Sequence, residues 1–290
     1  MEVTVREWAS RLRKELGYLI GFFKDRPSSS FGLFIVLTFI FLMFFGRALA
    51  PYDPEIPSPD FLQPPSASHW LGTDSSGLDI FSRIISAPRI DLTIGIVATM
   101  VAALIGTPIG VISGYLHGWV GSSIARVFDI VQCLPPFIVA MCLVAFAGQS
   151  ATNIIIVLAL LNSPIFVRLV RSKTYSVKQR MFVESALCLG NSRWRIMFRH
   201  LLPNCLEPIL IQFPVNVGWA ILMTAGLSFI GAGVRPPTPE WGSMIAIGAS
   251  LLVTGKWWVA LFPGAAIGLC ILGLALLANA LEILLDPTRR

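Results

Sequence analysis

Six apolar runs punctuate the chain, at about Phe31 to Leu49, Leu92 to Ile112, Val127 to Ala147, Asn153 to Val170, Leu206 to Gly231 and Trp257 to Leu284. Each approaches or exceeds the roughly 20 residues with which a helix crosses the hydrocarbon core of a bilayer. Lipid offers the backbone no hydrogen-bond partners, so apolar runs of this length predict helices, which satisfy their own N–H and C=O groups. The pattern predicts an all-α membrane protein with six transmembrane helices. A polar segment over residues 1–30 precedes a membrane domain over 31–290, which carries an outside loop at about 50–90 and an inside loop at about 172–205.

Composition agrees with the pattern. Hydrophobic residues make up 55% of the chain and charged residues only 13%, against roughly 25% charged in a soluble domain. Lysine and arginine set the orientation. With the N-terminus inside, the inner segments hold Arg6, Arg11, Arg13, Lys14, Lys24 and Arg26, then Arg126, then the cluster from Arg168 to Arg199, then Arg289 and Arg290. Arg47, Arg83, Arg89, Arg235 and Lys256 are left outside, the asymmetry that the positive-inside rule requires. Both termini are expected in the cytoplasm. The net charge of +6 is that of basic flanks around membrane spans and calls for no nucleic acid.

Several features have a plain structural reading. Ala48 to Ala50, "ALA", resembles a signal cleavage site, but a long polar stretch precedes the apolar run and Pro51 would follow the cut, so the run is expected to be a retained span. Cys133, Cys142, Cys188, Cys205 and Cys270 show no CxxC pairing, and neither disulfide nor metal site is expected. Pro51 to Arg83 is dense in proline, serine and glycine, which favours turns. Its "GTDSSGLD" lacks the alternating oxygen ligands of a calcium loop and reads as a structural turn. Gly106, Gly110, Gly114 and Gly118 recur every fourth residue, a smooth strip along one helix face for close packing. Pro108, Pro135, Pro136, Pro164 and Pro263 imply kinks.

Charge within the spans is scarce. Asp129 follows Arg126 by one helical turn, which predicts a local ion pair. His69, His117 and His200 lie at interfaces or in loops, where solvated or capping roles are expected. A proton- or sodium-driven transporter needs ionisable groups at mid-membrane, and a channel or membrane enzyme needs a filter or a polar constellation. None of these stands out. No GxxxxGK[ST] phosphate loop is present either, so the energy source must be a partner.

One inside segment remains, Met181 to Asn204, "MFVESALCLGNSRWRIMFRHLLPN". Met181 to Leu189 suits a short helix, Gly190 stops it, and Asn191 or Ser192 can cap a second helix running to Leu202 before Pro203. Periodicity alone fits either a helix pair lying on lipid or one docked against a partner.

Glu184 to Asn204 resembles the EAA loop of permease subunits in binding-protein-dependent ABC importers. It has E-x-A at Glu184 and Ala186, then Gly190 four residues on, then a closing H-x-x-P-N at His200 to Asn204. Ser185 stands where that family usually has alanine. "HWLGTDSSGLDIFSR" at His69 to Arg83, "LSFIGAGVRPPTPEWGSMI" at Leu227 to Ile245, "LFPG" at Leu261 to Gly264 and "LDP" at Leu285 to Pro287 resemble the dipeptide, oligopeptide and nickel branch. The resemblance implies a type I ABC importer permease in a bacterial inner membrane, the shorter member of a heterodimeric pair with a second permease. Two ATP-binding subunits would hold ATP and Mg beneath it, and an extracytoplasmic binding protein would deliver substrate. The chain itself would be non-catalytic and without cofactor. Small peptides are the implied cargo, with nickel chelates, glutathione and oligosaccharides as alternatives within the same branch. Glu184, Ser185, Ala186 and Gly190 would couple the chain to its ATPase.

Overall fold

The computed structural model describes residues 21–116 and 118–285. His117 and most of the polar N-terminal segment lie outside the described residues. Helix α1 is Pro27–Leu49, α2 Ile80–Ser86, α3 Pro88–Tyr115, α4 Trp119–Cys133, α5 Pro136–Ala147 and α6 Ala151–Lys178. A short helix α7, Met181–Cys188, follows. Arg193–Arg195, Ile196–Leu201 and Leu202–Asn204 then run on as one helical stretch, α8, π-helical in its middle. The chain ends with α9 Leu206–Phe229, α10 Trp241–Leu251 and α11 Trp258–Leu285.

Among the described residues, five helices are long and apolar enough to span a membrane, and the expected third span is not one of them. Instead α4 and α5 meet at a bend of 86°. The cause is local: Pro135 and Pro136 supply no backbone N–H, and Leu134 ahead of them is extended, as the residue before proline prefers. Together the bent pair still crosses once. Gly106 of α3 lies against Ser163 and Phe166 of α6, Gly110 against Val167 and Val170, and Gly114 against Arg171 and Thr174. Residue numbers rise together along both helices, so α3 and α6 are parallel. The chain between them must return across the membrane, which gives six crossings.

The glycine strip is consumed by that packing. A β-carbon at Gly106 would stand 2.7 Å from the Ser163 carbonyl oxygen, and one at Gly110 would stand 2.8 Å from that of Val167. Gly118 departs from the strip, with φ of 78° and open space around it. It marks the turn into α4. Helix α1 packs antiparallel on α11: Gly32 meets Leu276, and Gly273 meets Ile35 and Val36.

Among the described residues, three buried clusters hold the bundle. The first joins α1, α9, α10 and α11 through Phe39, Val217, Ile221, Trp241 and Ile267. At the end that carries the loop helices, the second joins α3 and α6 to α7 and α8 through Val111, Phe166, Val170, Val183, Ala186 and Ile196. The third gathers Ile94, Ala140, Val144, Leu158 and Leu227. Helix α10 lies between the last two apolar runs, where the sequence predicts no span. At 11 residues it is too short to cross lipid, and it packs inside the bundle rather than spanning it.

Candidate functional site

The inner loop forms the helix pair its sequence predicts, and its geometry is set by one glycine. Gly190 has φ of 75°, the left-handed conformation that costs an L side chain roughly 1–2 kcal/mol. It donates its N–H to Leu187 O at 2.9 Å, while the N–H of Asn191 reaches Ala186 O at 3.2 Å. These are the two bonds of a Schellman ending, which satisfies carbonyls that a helix otherwise leaves open. The Asn191 side chain adds a third, donating to Ala186 O at 3.0 Å. Ser192 then accepts from Arg195 N and starts α8. Of the two capping candidates, Ser192 caps and Asn191 staples the turn. Helix α8 continues through Pro203 to Asn204, beyond the stop expected at Leu202.

The four sequence-predicted residues divide between two faces. Val183 and Ala186 are buried, packed beneath α7 with Ile196, Met197 and Leu201. Glu184, Ser185 and Gly190 face outward beside exposed Met181, Leu189 and Trp194. Ser185 turns its hydroxyl back onto Met181 O at 3.0 Å. Ala186 is therefore the seat of the loop, and Glu184, Ser185 and Gly190 belong to its presented surface.

The loop is tied firmly to the spans that flank it. Helix α6 runs well past the apolar run that predicts it, to Lys178, whose ammonium donates to Tyr115 O at 2.7 Å at the end of α3. Lys173 of α6 meets Glu207 of α9 at 3.0 Å. Beneath the loop lies Cys205, its thiol pushed up by burial. Asp129 pairs with Arg168 of α6 at 2.8 Å and not with Arg126 of its own helix, so the pair crosslinks α4 to α6.

A second polar centre, at the end of the bundle opposite α7 and α8, was not found from the sequence. His69 is buried, its Nδ1 2.9 Å from Asp79 Oδ1, where a solvated or capping histidine was expected. Asp79 also caps α2 through Ser82, and Asp74 accepts from the N–H groups of Ser76 and Leu78. "GTDSSGLD" is thus a structural turn. Arg83 is buried as well, its Nη1 donating to Pro54 O at 2.8 Å and Pro237 O at 3.0 Å. Asp91 and Glu240 are buried at 1% and 0% exposure. Glu240 caps α10 by accepting from Gly242 N at 2.9 Å and Ser243 N at 2.7 Å, and Asp91 accepts from Trp241 N at 3.2 Å. Burial pushes the Glu240 carboxyl up from its ordinary range, while its two backbone N–H bonds pull it down. The "PEWG" stretch stood out on sequence only as part of a resemblance. The signal available was a carboxylate immediately ahead of a helix-starting apolar run.

The described residues form a helical membrane bundle with a stapled helix pair at one end. A family model described as "Binding-protein-dependent transport system inner membrane component" matches residues 106–290, and the chain belongs to that family. It is 39% identical over 268 residues to the "Glutathione transport system permease protein GsiD" of Pectobacterium atrosepticum, covering 92% of this chain and 88% of that one. It is 41% identical over 258 residues to the "Dipeptide transport system permease protein DppC" of Alkalihalophilus pseudofirmus, covering 88% and 84%. The "Probable D,D-dipeptide transport system permease protein DdpC" of Escherichia coli is 37% identical over 270 residues, covering 93% and 90%.

Proposed function

We propose that this chain is one of two unlike permease subunits of an ATP-driven importer that moves small peptides inward after an extracytoplasmic binding protein delivers them. The observation that carries the reading is the inner loop. It is a rigid helix pair whose inner face, Val183 and Ala186, is welded to the ends of α3 and α6, and whose outer face offers Glu184, Ser185 and Gly190. Such an element transmits a push on its outer face to the spans that continue from it. In this reading two ATP-binding subunits sit against it and bind the ATP and Mg. The chain itself performs no chemistry, and both its termini are cytoplasmic.

Relatives named for dipeptides, D,D-dipeptides and glutathione support peptide cargo, since glutathione is itself a small peptide. The test is uptake by vesicles containing this chain, the second permease, both ATPases and the binding protein. ATP-dependent accumulation of labelled dipeptide that fails when any component is omitted is the expected result. Uptake by this chain alone, driven by an imposed proton or sodium gradient, would replace the reading with that of a secondary transporter.

A further inference from the structure

Two hollows lie on one seam, where α1 packs beside α3. The first is a polar cleft of about 280 Å³ at the end of the bundle opposite α7 and α8, lined by Arg47 of α1, Glu55, Ser86, Arg89 of α3 and Thr238. The second is an apolar groove of about 260 Å³ that begins at Ile40 of α1 and at Leu92 and Ile96 of α3, then runs past Phe213 of α9 toward Leu281 of α11. Val36, Ile40 and Arg47 share one face of α1 by their spacing, and Arg89, Leu92 and Ile96 share one face of α3. At the rise of an α-helix, Ile40 and Ile96 each lie about 10 Å from the arginine of their own helix, toward the membrane centre. The groove therefore continues the cleft. We infer that this seam binds one membrane phospholipid, with its phosphate and a headgroup ammonium in the cleft and an acyl chain in the groove.

The walls of the cleft are fixed from behind. Arg83, 1% exposed, donates from Nη1 to Pro54 O at 2.8 Å and Pro237 O at 3.0 Å, and so ties together the loop segments that carry Glu55 and Thr238. On the other side α1 lies so close to α2 that a β-carbon at Gly46 would strike the Ile85 carbonyl, which seats Ser86 against α1. The Ser86 hydroxyl is buried and has no hydrogen-bond partner among the described residues. Such a group costs stability until an acceptor reaches it, and a phosphate oxygen is one.

Charge selects the headgroup. Arg89 is exposed, and its guanidinium has no partner among the described residues, so its planar fork is open to phosphate oxygens. Arg47 is already shared between Asp53 and Glu55, at 3.5 Å from each. That distance is long for a charged hydrogen bond, and it leaves Glu55 able to accept from an ammonium. A primary ammonium donates to a carboxylate, whereas a quaternary one has no N–H to give. A free peptide also carries both charges, but the apolar groove below the cleft and exposed Phe44, one turn from Arg47, suit a ligand with an apolar tail.

The experiment is native mass spectrometry of the full chain, with any subunits that copurify, in mild detergent. Phosphatidylethanolamine, phosphatidylcholine and phosphatidylglycerol of identical acyl chains are titrated, beside water-soluble glycerophosphoethanolamine and a dipeptide. Phosphatidylethanolamine should bind best, and Arg89→Gln should weaken it about tenfold or more. Ile40→Trp, which fills the groove and leaves the charges in place, should weaken it as well, and Glu55→Gln should erase the preference over phosphatidylcholine. Should Ile40→Trp fail to fold, Arg89→Gln at the surface keeps the test. Wild-type affinity in Arg89→Gln overturns the site. Glycerophosphoethanolamine or dipeptide binding as tightly as the lipid overturns the use of the groove, and equal binding of the three lipids overturns the contact to Glu55. Lipid binding involves no transport, so its failure leaves the importer reading standing.

Discussion

Lys173 and Glu207 meet at 3.0 Å across the base of the inner loop, one on the helix that enters it and the other at the start of the helix that leaves it. Their side chains are 31% and 36% exposed, so the pair contributes about 1 kcal/mol or less to stability. Its value is geometric: it fixes the separation of α6 and α9 where any push from the loop must pass. Lys173→Glu is expected to leave the chain inserted and folded while raising the ATP hydrolysed per peptide imported. Lys173→Glu with Glu207→Lys should restore the ratio, measured in reconstituted vesicles. An unchanged ratio in the single variant would remove the pair from the coupling path.

The glycine strip yields a prediction about assembly. At Gly110 even a methyl group would come within 2.8 Å of both Val167 O and Val170 Cβ, and backbone cannot step aside as a flexible side chain can. Gly110→Val should separate α3 from α6 at a cost of about 1–3 kcal/mol or more, seen as loss of the monodisperse peak in detergent size-exclusion chromatography. Gly118→Ala meets open space and should cost only the strain of its positive φ.

Orientation can be tested by labelling from each side. Asp74 is a poor reporter, since it is buried and holds the turn through Ser76 and Leu78. Ser75 and Arg180 are exposed at opposite ends of the bundle. In a variant lacking the native cysteines, Ser75→Cys should react with an impermeant thiol reagent from outside the cell. Arg180→Cys should react only in inverted vesicles. Reaction of both from the same face would refute the orientation proposed.

How much of this was legible depends on how local each cause is. The spans follow from runs of apolar residues, and the turn at Gly190 follows from one glycine between two helix-forming stretches, so both could be read. The bend between α4 and α5 was signalled by Pro135 and Pro136, but a 20-residue window averages over it. Partners were not readable. Asp129 has Arg126 one turn away, yet it pairs with Arg168, which is remote in sequence. Asp91 and Trp241 sit far apart in the chain and meet only because α10 tucks into the bundle. Asp91 alone looks like an ordinary loop or interface residue. Ala186 was legible as a motif position, but its burial beneath the loop depends on α8 folding back over it.

The turn at Gly190 separates backbone strain from docking. No heavy atom lies within 4 Å of where its β-carbon would be, so a side chain there meets nothing within this chain and costs only the conformational penalty of φ at 75°. Gly190→Asn tolerates that conformation and should retain the two Schellman bonds and normal function. Gly190→Ala should weaken the turn by about 1 kcal/mol and lower substrate-stimulated ATP hydrolysis in part. Gly190→Trp adds bulk on the face presented with Glu184 and Ser185. In the proposed complex it should abolish stimulation by loaded binding protein while leaving insertion and detergent stability close to those of Gly190→Ala. If Gly190→Trp stimulates hydrolysis as well as Gly190→Ala does, no partner approaches this turn closely, and the coupling surface must be sought on another part of the inner loop.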